Sequence, residues 1–493
     1  MPAQIRSVAL VPVDFPTYEN ADDAYISTEP GLFPDLLLPL DGETIDMYPG
    51  QYRSLWIDFP GIEEASPGEY PVTIIITLND EKETKRELHI TLKVLPCFLP
   101  KQKLLHTQWF YADALASYYH TEPFDEEHWR IIEEFIKPMY GTYRNNTLIT
   151  PVFTTSWDRP GSERPVHIQL ADIYVHEGLY SFGFEKLDRW CGLCRKYGIT
   201  HIEVSHFFTS WGSKTPMKIL GTVDGKLKKL FGYEKPATDP EFRKFLEQFI
   251  PALRKNLEKN GYDKDHVIFH VSDEPGISHL ETYRAAKEQF ADLVAGSVII
   301  DALSDFEFYK LGVLDHPVPA NDHVMPFIEA KVPNLWVYYC CGQYFNVPNR
   351  FLAMPSSRNR AMGVLMYLYQ IAGFLHWGYN YYYNHPGQSL ENLKLLDPFF
   401  DQSGMHHVPA GDSFLVYPGQ DGKPLSSIHG EVIREAIDDI RVLELVEERF
   451  GRDRAVKLLY EDFSGAMTFE HYPLDPSYYT RLREKAAGLL IKQ

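Results

Sequence analysis

The sequence predicts a multidomain α and β protein: an antiparallel β-sandwich over residues 1–96, a central (β/α)8 TIM-like barrel over 100–402, and a C-terminal β segment with helices over 403–493. Three observations carry that prediction. Alternating apolar residues mark strands before residue 96, eight apolar strand patterns then alternate with amphipathic helical spans, and a charged helical pattern closes the chain.

In the first unit Tyr70, Val72, Ile74, Ile76 and Leu78 occupy alternate positions, as do Leu88, Ile90, Leu92 and Val94. Asn79-Asp80-Glu81-Lys82 supplies turn chemistry between the two runs, and Pro-Gly pairs at 49–50, 60–61 and 67–68 punctuate the earlier strands. A small sandwich follows from these short, half-buried strands. Beyond Leu95-Pro96-Cys97-Phe98-Leu99-Pro100 the strand patterns run Leu104–Trp109, Leu148–Phe153, His201–His206, Val267–Val271, Gly296–Asp301, His323–Ile328, Asn334–Cys340 and Gly373–Trp377. Helical periodicity separates them, at Glu126–Met139, Phe184–Tyr197, Asp239–Asn260, Ile277–Ala295 and Arg358–Ala372. Eight strands in such alternation favour a closed barrel over an open doubly wound sheet. The tail begins with Phe414–Tyr417, turns at Tyr417-Pro418-Gly419 and continues as a helix from Ser427 to Phe450.

Composition narrows the function. With 48 Lys+Arg against 68 Asp+Glu the chain carries a net charge of -20, which disfavours nucleic acid or an anionic membrane as partner. No apolar run is long enough for a membrane span, and Met1–Pro16 lacks the pattern of a signal peptide, so the expected location is cytoplasmic. Five cysteines suit a reducing compartment, and Cys191-x-x-Cys194 and Cys340-Cys341 read as core thiols. No GxGxxG or P-loop follows a strand, so no cofactor is expected. Neither His201 with Glu203 nor His406-His407 has the further partners of a metal site, so none is expected there. The oligomeric state stays open, because the C-terminal helices suit a dimer contact as well as packing on the barrel.

In (β/α)8 proteins the site lies at the C-terminal ends of the strands. There the sequence places Gln108-Trp109, Ser205-His206, Ser272-Asp273-Glu274, Tyr338-Tyr339 and His376-Trp377-Gly378-Tyr379-Asn380-Tyr381. The sharpest signal is Asp273-Glu274-Pro275, two carboxyls delivered by an apolar strand. Helix capping explains Asp273 and Glu274 in isolation; the strand-end position among aromatic residues favours chemistry. Adjacent carboxyls do not both ionise freely, so one retains a proton suited to acid catalysis at a glycosidic oxygen. Most glycosidases set their two carboxyls across the scissile bond, about 5 to 9.5 Å apart. Consecutive residues share one side of the sugar, which suggests that a 2-acetamido group of the substrate acts as nucleophile. Trp109, Trp211 and Trp377 are candidate stacking surfaces for a pyranose ring, and His206, Asn380 and Tyr381 candidate polar or aromatic contacts. Two alternatives remain at this stage. One is a glycosidase for a sugar without the acetamido group, with a carboxylate such as Asp301 as nucleophile; the other is a carbohydrate-binding barrel without turnover.

At these residues the chain resembles the family 123 glycoside hydrolases over roughly residues 100–450. The resemblance rests on Asp273-Glu274-Pro275, Trp336-Val337-Tyr338-Tyr339-Cys340, Arg360 leading to Gly373-Phe374-Leu375-His376-Trp377-Gly378, Tyr417-Pro418-Gly419 with Ser427-Ile428, and Arg434-Glu435-Ala436-Ile437-Asp438-Asp439. It implies a retaining, substrate-assisted β-N-acetylgalactosaminidase-like activity, with Asp273 stabilising the acetamido group and Glu274 as general acid and base. It also implies a positioning tyrosine near the end of the seventh strand, expected at Tyr339 with Tyr344 as the alternate. The expected partner is an oligosaccharide or glycoside.

Overall fold

The computed structural model describes residues 3–40, 44–79, 84–153, 166–384 and 393–491. Strands β1 (Gln4–Val13), β2 (Gly31–Pro39) and β3 (Leu55–Asp58) pair antiparallel around β1. β4 (Gly68–Thr77) and β5 (Lys85–Val94) pair separately, from Gly68 opposite Val94 to Thr77 opposite Lys85. Asp80, Glu81 and Lys82 of the expected turn lie outside the described residues. The alternation therefore does mark an antiparallel pair. Its apolar face is only partly covered, since Ile76, Leu88 and Ile90 stay 39%, 55% and 43% exposed.

The barrel strands are β6 (Leu105–Gln108), β7 (Thr147–Thr150), β10 (His201–Val204), β13 (Val267–Phe269), β14 (Val298–Ala302), β15 (His316–Val318), β16 (Trp336–Tyr338) and β17 (Gly373–His376). All neighbours in this eight-stranded sheet are parallel, in the order β15-β14-β13-β10-β7-β6-β17-β16. Two backbone hydrogen bonds bring the ends together: Tyr338 N donates to Pro319 O at 3.0 Å and Asn321 N to Tyr338 O at 2.9 Å. The sheet is thus a nearly closed TIM-like barrel, with helices such as Glu126–Gly141, Glu185–Lys196, Pro240–Lys259 and Ser356–Leu368 in its connections.

One strand differs from its sequence pattern. Residues 323–328 were expected as the sixth strand, but Met325–Glu329 is a short helix with Pro326 in its first turn, and His316–Val318 takes the place in the sheet. Proline fits a first helical turn and removes a donor from a strand, so the apolar run is better satisfied as helix. Between barrel strands, β8 (Asp172–His176) and β9 (Leu179–Gly183) join β11 (Ile219–Val223) and β12 (Lys226–Phe231) in a four-stranded sheet. These runs of five or six residues are too short to show a sustained alternation in the sequence.

The C-terminal segment returns to the first unit. β18 (Tyr417–Pro418) and β19 (Pro424–Ser427) extend the N-terminal sheet through β2, giving the order β18-β19-β2-β1-β3. Tyr417 Oη donates to Asp35 at 2.7 Å to fix the joint. Ser427 then caps the helix Ile428–Phe450, which lies against Ser356–Leu368 so closely that a Cβ on Gly363 would sit 2.1 Å from Ala436 O. Arg360 pairs with Asp439 at 2.8 Å and Arg144 with Asp438 at 3.0 Å. The charged residues of that C-terminal motif therefore hold helix to barrel. No helix among the described residues is long and apolar enough to cross a membrane.

Candidate active site

Side chains alternate along each barrel strand, and that alternation decides which predicted residues meet. Thr107 and Trp109 from β6 turn inward, where both donate to Glu203 of β10, at 2.6 and 2.8 Å. Leu375 and Trp377 at the end of β17, and Tyr338 and Cys340 at the end of β16, turn to the same space. Together with Trp211, Asp273, Glu274, Ala302 and Cys341 they line a cavity of about 150 Å³ at the C-terminal mouth of the barrel. A wider groove of about 490 Å³ lies at the opposite barrel end, among Lys103, Glu444, Glu447, Glu448 and Arg452, away from the strand C-termini.

Residues of the other parity point away. Tyr339 is fully buried with its hydroxyl on Asn359 Oδ1 at 2.8 Å, so the tyrosine in the cavity is Tyr338. His206 lies behind Trp109, ring centroids 5.1 Å apart, and is fully buried. Asn380 is spent on the backbone of Tyr111, accepting from its N–H and donating to its carbonyl at 2.9 Å each. Tyr381 packs behind Trp377 at 5.2 Å, and Tyr344 stands outside the cavity lining. Of the predicted positions Asp273, Glu274, Trp109, Trp211 and Trp377 are brought together. Tyr338, Cys340 and Cys341 were missed as lining residues; only the strand parity, which requires knowing the strand's end, distinguishes Tyr338 from Tyr339.

The carboxyl pair sits on a constrained turn. Glu274 has φ 45°, a left-handed conformation uncommon for a residue with a Cβ, and its N–H donates to Ala302 O at 3.0 Å. The loop after β10 is stitched to the same turn: Phe208 N donates to Val271 O at 3.1 Å, Trp211 N to Asp273 O at 2.9 Å, and Ser272 Oγ donates to Thr209 O at 2.8 Å. Trp211, itself at φ 52°, thereby reaches Glu274 Oε2 with its indole N–H at 3.4 Å, while Tyr338 Oη donates to Glu274 Oε1 at 2.7 Å. Burial, and next the Glu274 charge, lift the Asp273 carboxyl well above its ordinary range.

Beneath the cavity runs a buried chain of charges. His270 Nε2 bonds Glu203 Oε1 at 2.7 Å and His270 Nδ1 bonds Asp301 Oδ1 at 3.1 Å. Burial pulls the imidazole down, but Asp301 and Glu203 outweigh it and hold it up at about 9, so His270 is cationic. Asp301 also accepts from Val271 N at 3.2 Å, from Ser272 N at 3.3 Å and from the Tyr283 hydroxyl, which fixes the backbone just before Asp273. The spacing of His206, His270 and Asp301 would admit a metal ion. Both His270 nitrogens are already bonded to carboxylates, however, so the ring has no lone pair to offer. The chain reads as an ion-pair support. Trp377 has its own anchor: its indole N–H donates to Asp412 Oδ2 at 3.0 Å. Gly378 follows because the chain at 412–413 passes so close that a Cβ would meet Ser413 O at 2.5 Å.

A barrel mouth that closes three tryptophans around two carboxyls suits an enzyme acting on carbohydrate. Comparison with known proteins agrees. The family model described as the glycoside hydrolase 123 catalytic domain matches residues 109–446, and the chain belongs to that family. It is a glycoside hydrolase. Among solved structures it is similar to a family 123 glycoside hydrolase from Clostridium perfringens, at 17% identity and a TM-score of 0.72 over 99% of this chain and 86% of that one. A family 5 mannosidase from Rhizomucor miehei matches more distantly, at 13% identity and a TM-score of 0.35, over 76% of this chain and 99% of that one. No curated protein matches in sequence.

Proposed function

We propose that the chain removes a terminal 2-acetamido sugar, of the β-N-acetylgalactosaminide type, by a retaining mechanism in which the substrate's own acetamido group is the nucleophile. The observation that carries this reading is that the cavity's only lining carboxyls, among the described residues, are the neighbours Asp273 and Glu274. A protein nucleophile would have to stand across the sugar from the acid. The alternative nucleophile raised by the sequence, Asp301, is fully buried and occupied by His270, Tyr283 and two backbone N–H groups, so it supports the turn instead of facing the sugar.

In the first step the acetamido carbonyl oxygen bonds to C1 as the C1–O bond to the leaving group breaks, and Glu274 gives that oxygen its proton. Asp273, in its carboxylate form, accepts the acetamido N–H. In the second step Glu274 takes a proton from water as the water attacks C1 and the acetamido group is released with retention. Tyr338, rather than Tyr339, orients the acetamido carbonyl in this reading, which its position in the cavity lining supports. Trp109, Trp211 and Trp377 wall the ring, and their indole N–H groups are already held by Glu203, Glu274 and Asp412. The galactosaminide preference rests on the family resemblance. The similar Clostridium perfringens enzyme is described by its hydrolysis of glycolipid glycans, and a glycan end of that kind is the substrate class proposed here.

The test is hydrolysis of aryl glycosides of N-acetyl-β-galactosamine, N-acetyl-β-glucosamine, galactose and glucose, with a thiazoline analogue of the N-acetyl sugar as inhibitor. Activity restricted to N-acetyl sugars, inhibited by the thiazoline and lost in Asp273→Ala, is the expected result. Turnover of plain galactoside without thiazoline inhibition overturns it.

A further inference from the structure

The connection between β1 and β2 leaves the N-terminal sheet and reaches the rim of the barrel mouth. Ala410 N donates to Phe15 O at 3.0 Å and Ile26 N to Ala353 O at 2.8 Å, so the segment is fastened near both ends. Between them Asp22 takes Arg358 Nη1 at 2.8 Å and the Asn346 N–H at 2.6 Å. The Arg358 side chain is fully buried and that of Asp22 8% exposed. Tyr25 Oη donates to Tyr344 O at 2.7 Å. These contacts fix two partly exposed rings: Tyr18 and Tyr344 meet edge to face at 4.9 Å.

Their position relative to the acid gives them a role. Cys341, three residues before Tyr344, is part of the cavity wall. Glu274 and Cys340 line the same cavity. The sequence of groups outward is therefore Glu274, Cys340-Cys341, then the Tyr18–Tyr344 pair. A cavity of about 150 Å³ has space for about one pyranose ring, so whatever is attached to the protonated oxygen extends beyond the cavity wall.

We propose that Tyr18 and Tyr344 form the platform for the leaving group, an outer subsite that takes the next sugar ring of an oligosaccharide by stacking. The inference rests on Glu274 as the acid. It makes the N-terminal unit part of the substrate site, and it gives Tyr344 a substrate contact outside the cavity where the hydrolysed sugar sits. Trp211 flanks Glu274 as well, but its indole N–H is bonded to the acid and its ring lines the inner cavity, so its loss affects every substrate.

The experiment compares two substrates of one sugar, chosen as whichever sugar the wild-type enzyme hydrolyses: a disaccharide and the glycosyl fluoride. Tyr18→Ala and Tyr344→Ala are expected to lower kcat/KM for the disaccharide about five- to tenfold and leave the fluoride within about twofold, stacked rings being worth about that much. Tyr18→Phe, which keeps the ring, is expected to behave like wild type on both. Inhibition by the free monosaccharide, which fills only the inner cavity, should not change in any of them and reports that the fold is intact. Equal losses on disaccharide and fluoride, or no loss on the disaccharide, overturn the proposal. Because the sugar is chosen empirically, turnover of a sugar without an acetamido group would refute the substrate-assisted reading while leaving this comparison valid.

Discussion

Tyr338 Oη donates to Glu274 Oε1 at 2.7 Å, while its sequence neighbour Tyr339 donates to Asn359 on the opposite face of the strand. The two phenols differ by one residue and face different environments. Tyr338→Phe is expected to lower kcat/KM by about 100- to 1,000-fold, the scale of losing one aimed donor in an active site. Tyr339→Phe should leave steady-state kinetics intact and cost about 1 kcal/mol in urea unfolding, because Asn359 loses a buried partner. The reverse pattern would move the functional tyrosine back to position 339.

The His270 ion pair predicts an alkaline loss of stability. Its imidazole is held up at about 9 against about 6.5 when unfolded, so its contribution is complete below about 6.5 and disappears as pH rises through about 9. Urea unfolding at intervals from about pH 6 to 10 should show that decline in the wild type. His270→Leu should remove the decline and cost about 3–5 kcal/mol at neutral pH, leaving Glu203 and Asp301 buried without their cation. A flat wild-type profile over that window would sink the assignment of a charged His270.

Asp412 predicts a slope at lower pH. Burial raises its carboxyl to about 7, above the ordinary value near 4, so the native state binds a proton that the unfolded chain has released. Stability from this group is present at low pH and declines as pH rises towards about 7, at up to about 1.4 kcal/mol per unit. Asp412→Asn should lack that slope while keeping an acceptor for the Trp377 indole. Unfolding of both proteins between about pH 4 and 8 checks it, and parallel curves would contradict it.

Gly378→Ala tests how Trp377 is placed. The added Cβ would meet Ser413 O at 2.5 Å and Asp412 O at 2.7 Å, both backbone atoms, so the strand end has to shift. A cost of about 1–3 kcal/mol is expected, with weaker binding of substrate as the Trp377 wall is displaced. Thermal unfolding and KM measured on the same preparation would show it; an unchanged KM would mean that Trp377 is held independently of Gly378.

Much of this could be read from residues alone, for identifiable reasons. The barrel was legible because its strands are continuous apolar runs and its helices keep a 3.6-residue period. The sixth strand was misplaced because His316-Pro317-Val318 is short and contains proline, while 323–328 offered a longer apolar run. Asp273-Glu274 stood out because two adjacent carboxyls ending an apolar strand are hard to explain by packing. His206, Asn380 and Tyr381 also end strands, but their side chains are buried against other residues.

The sequence by itself determined the alternation of strand and helix, the adjacent carboxyl pair and the supply of tryptophans, because these depend on local periodicity and residue type. Tertiary structure alone decided which parity of each strand faces the cavity, and so chose Tyr338 over Tyr339. It also placed His270 between Glu203 and Asp301, and brought Tyr18 from the first unit against Tyr344. Those relationships join residues tens to hundreds of positions apart. They depend on strand order and closure of the sheet, which no local pattern specifies.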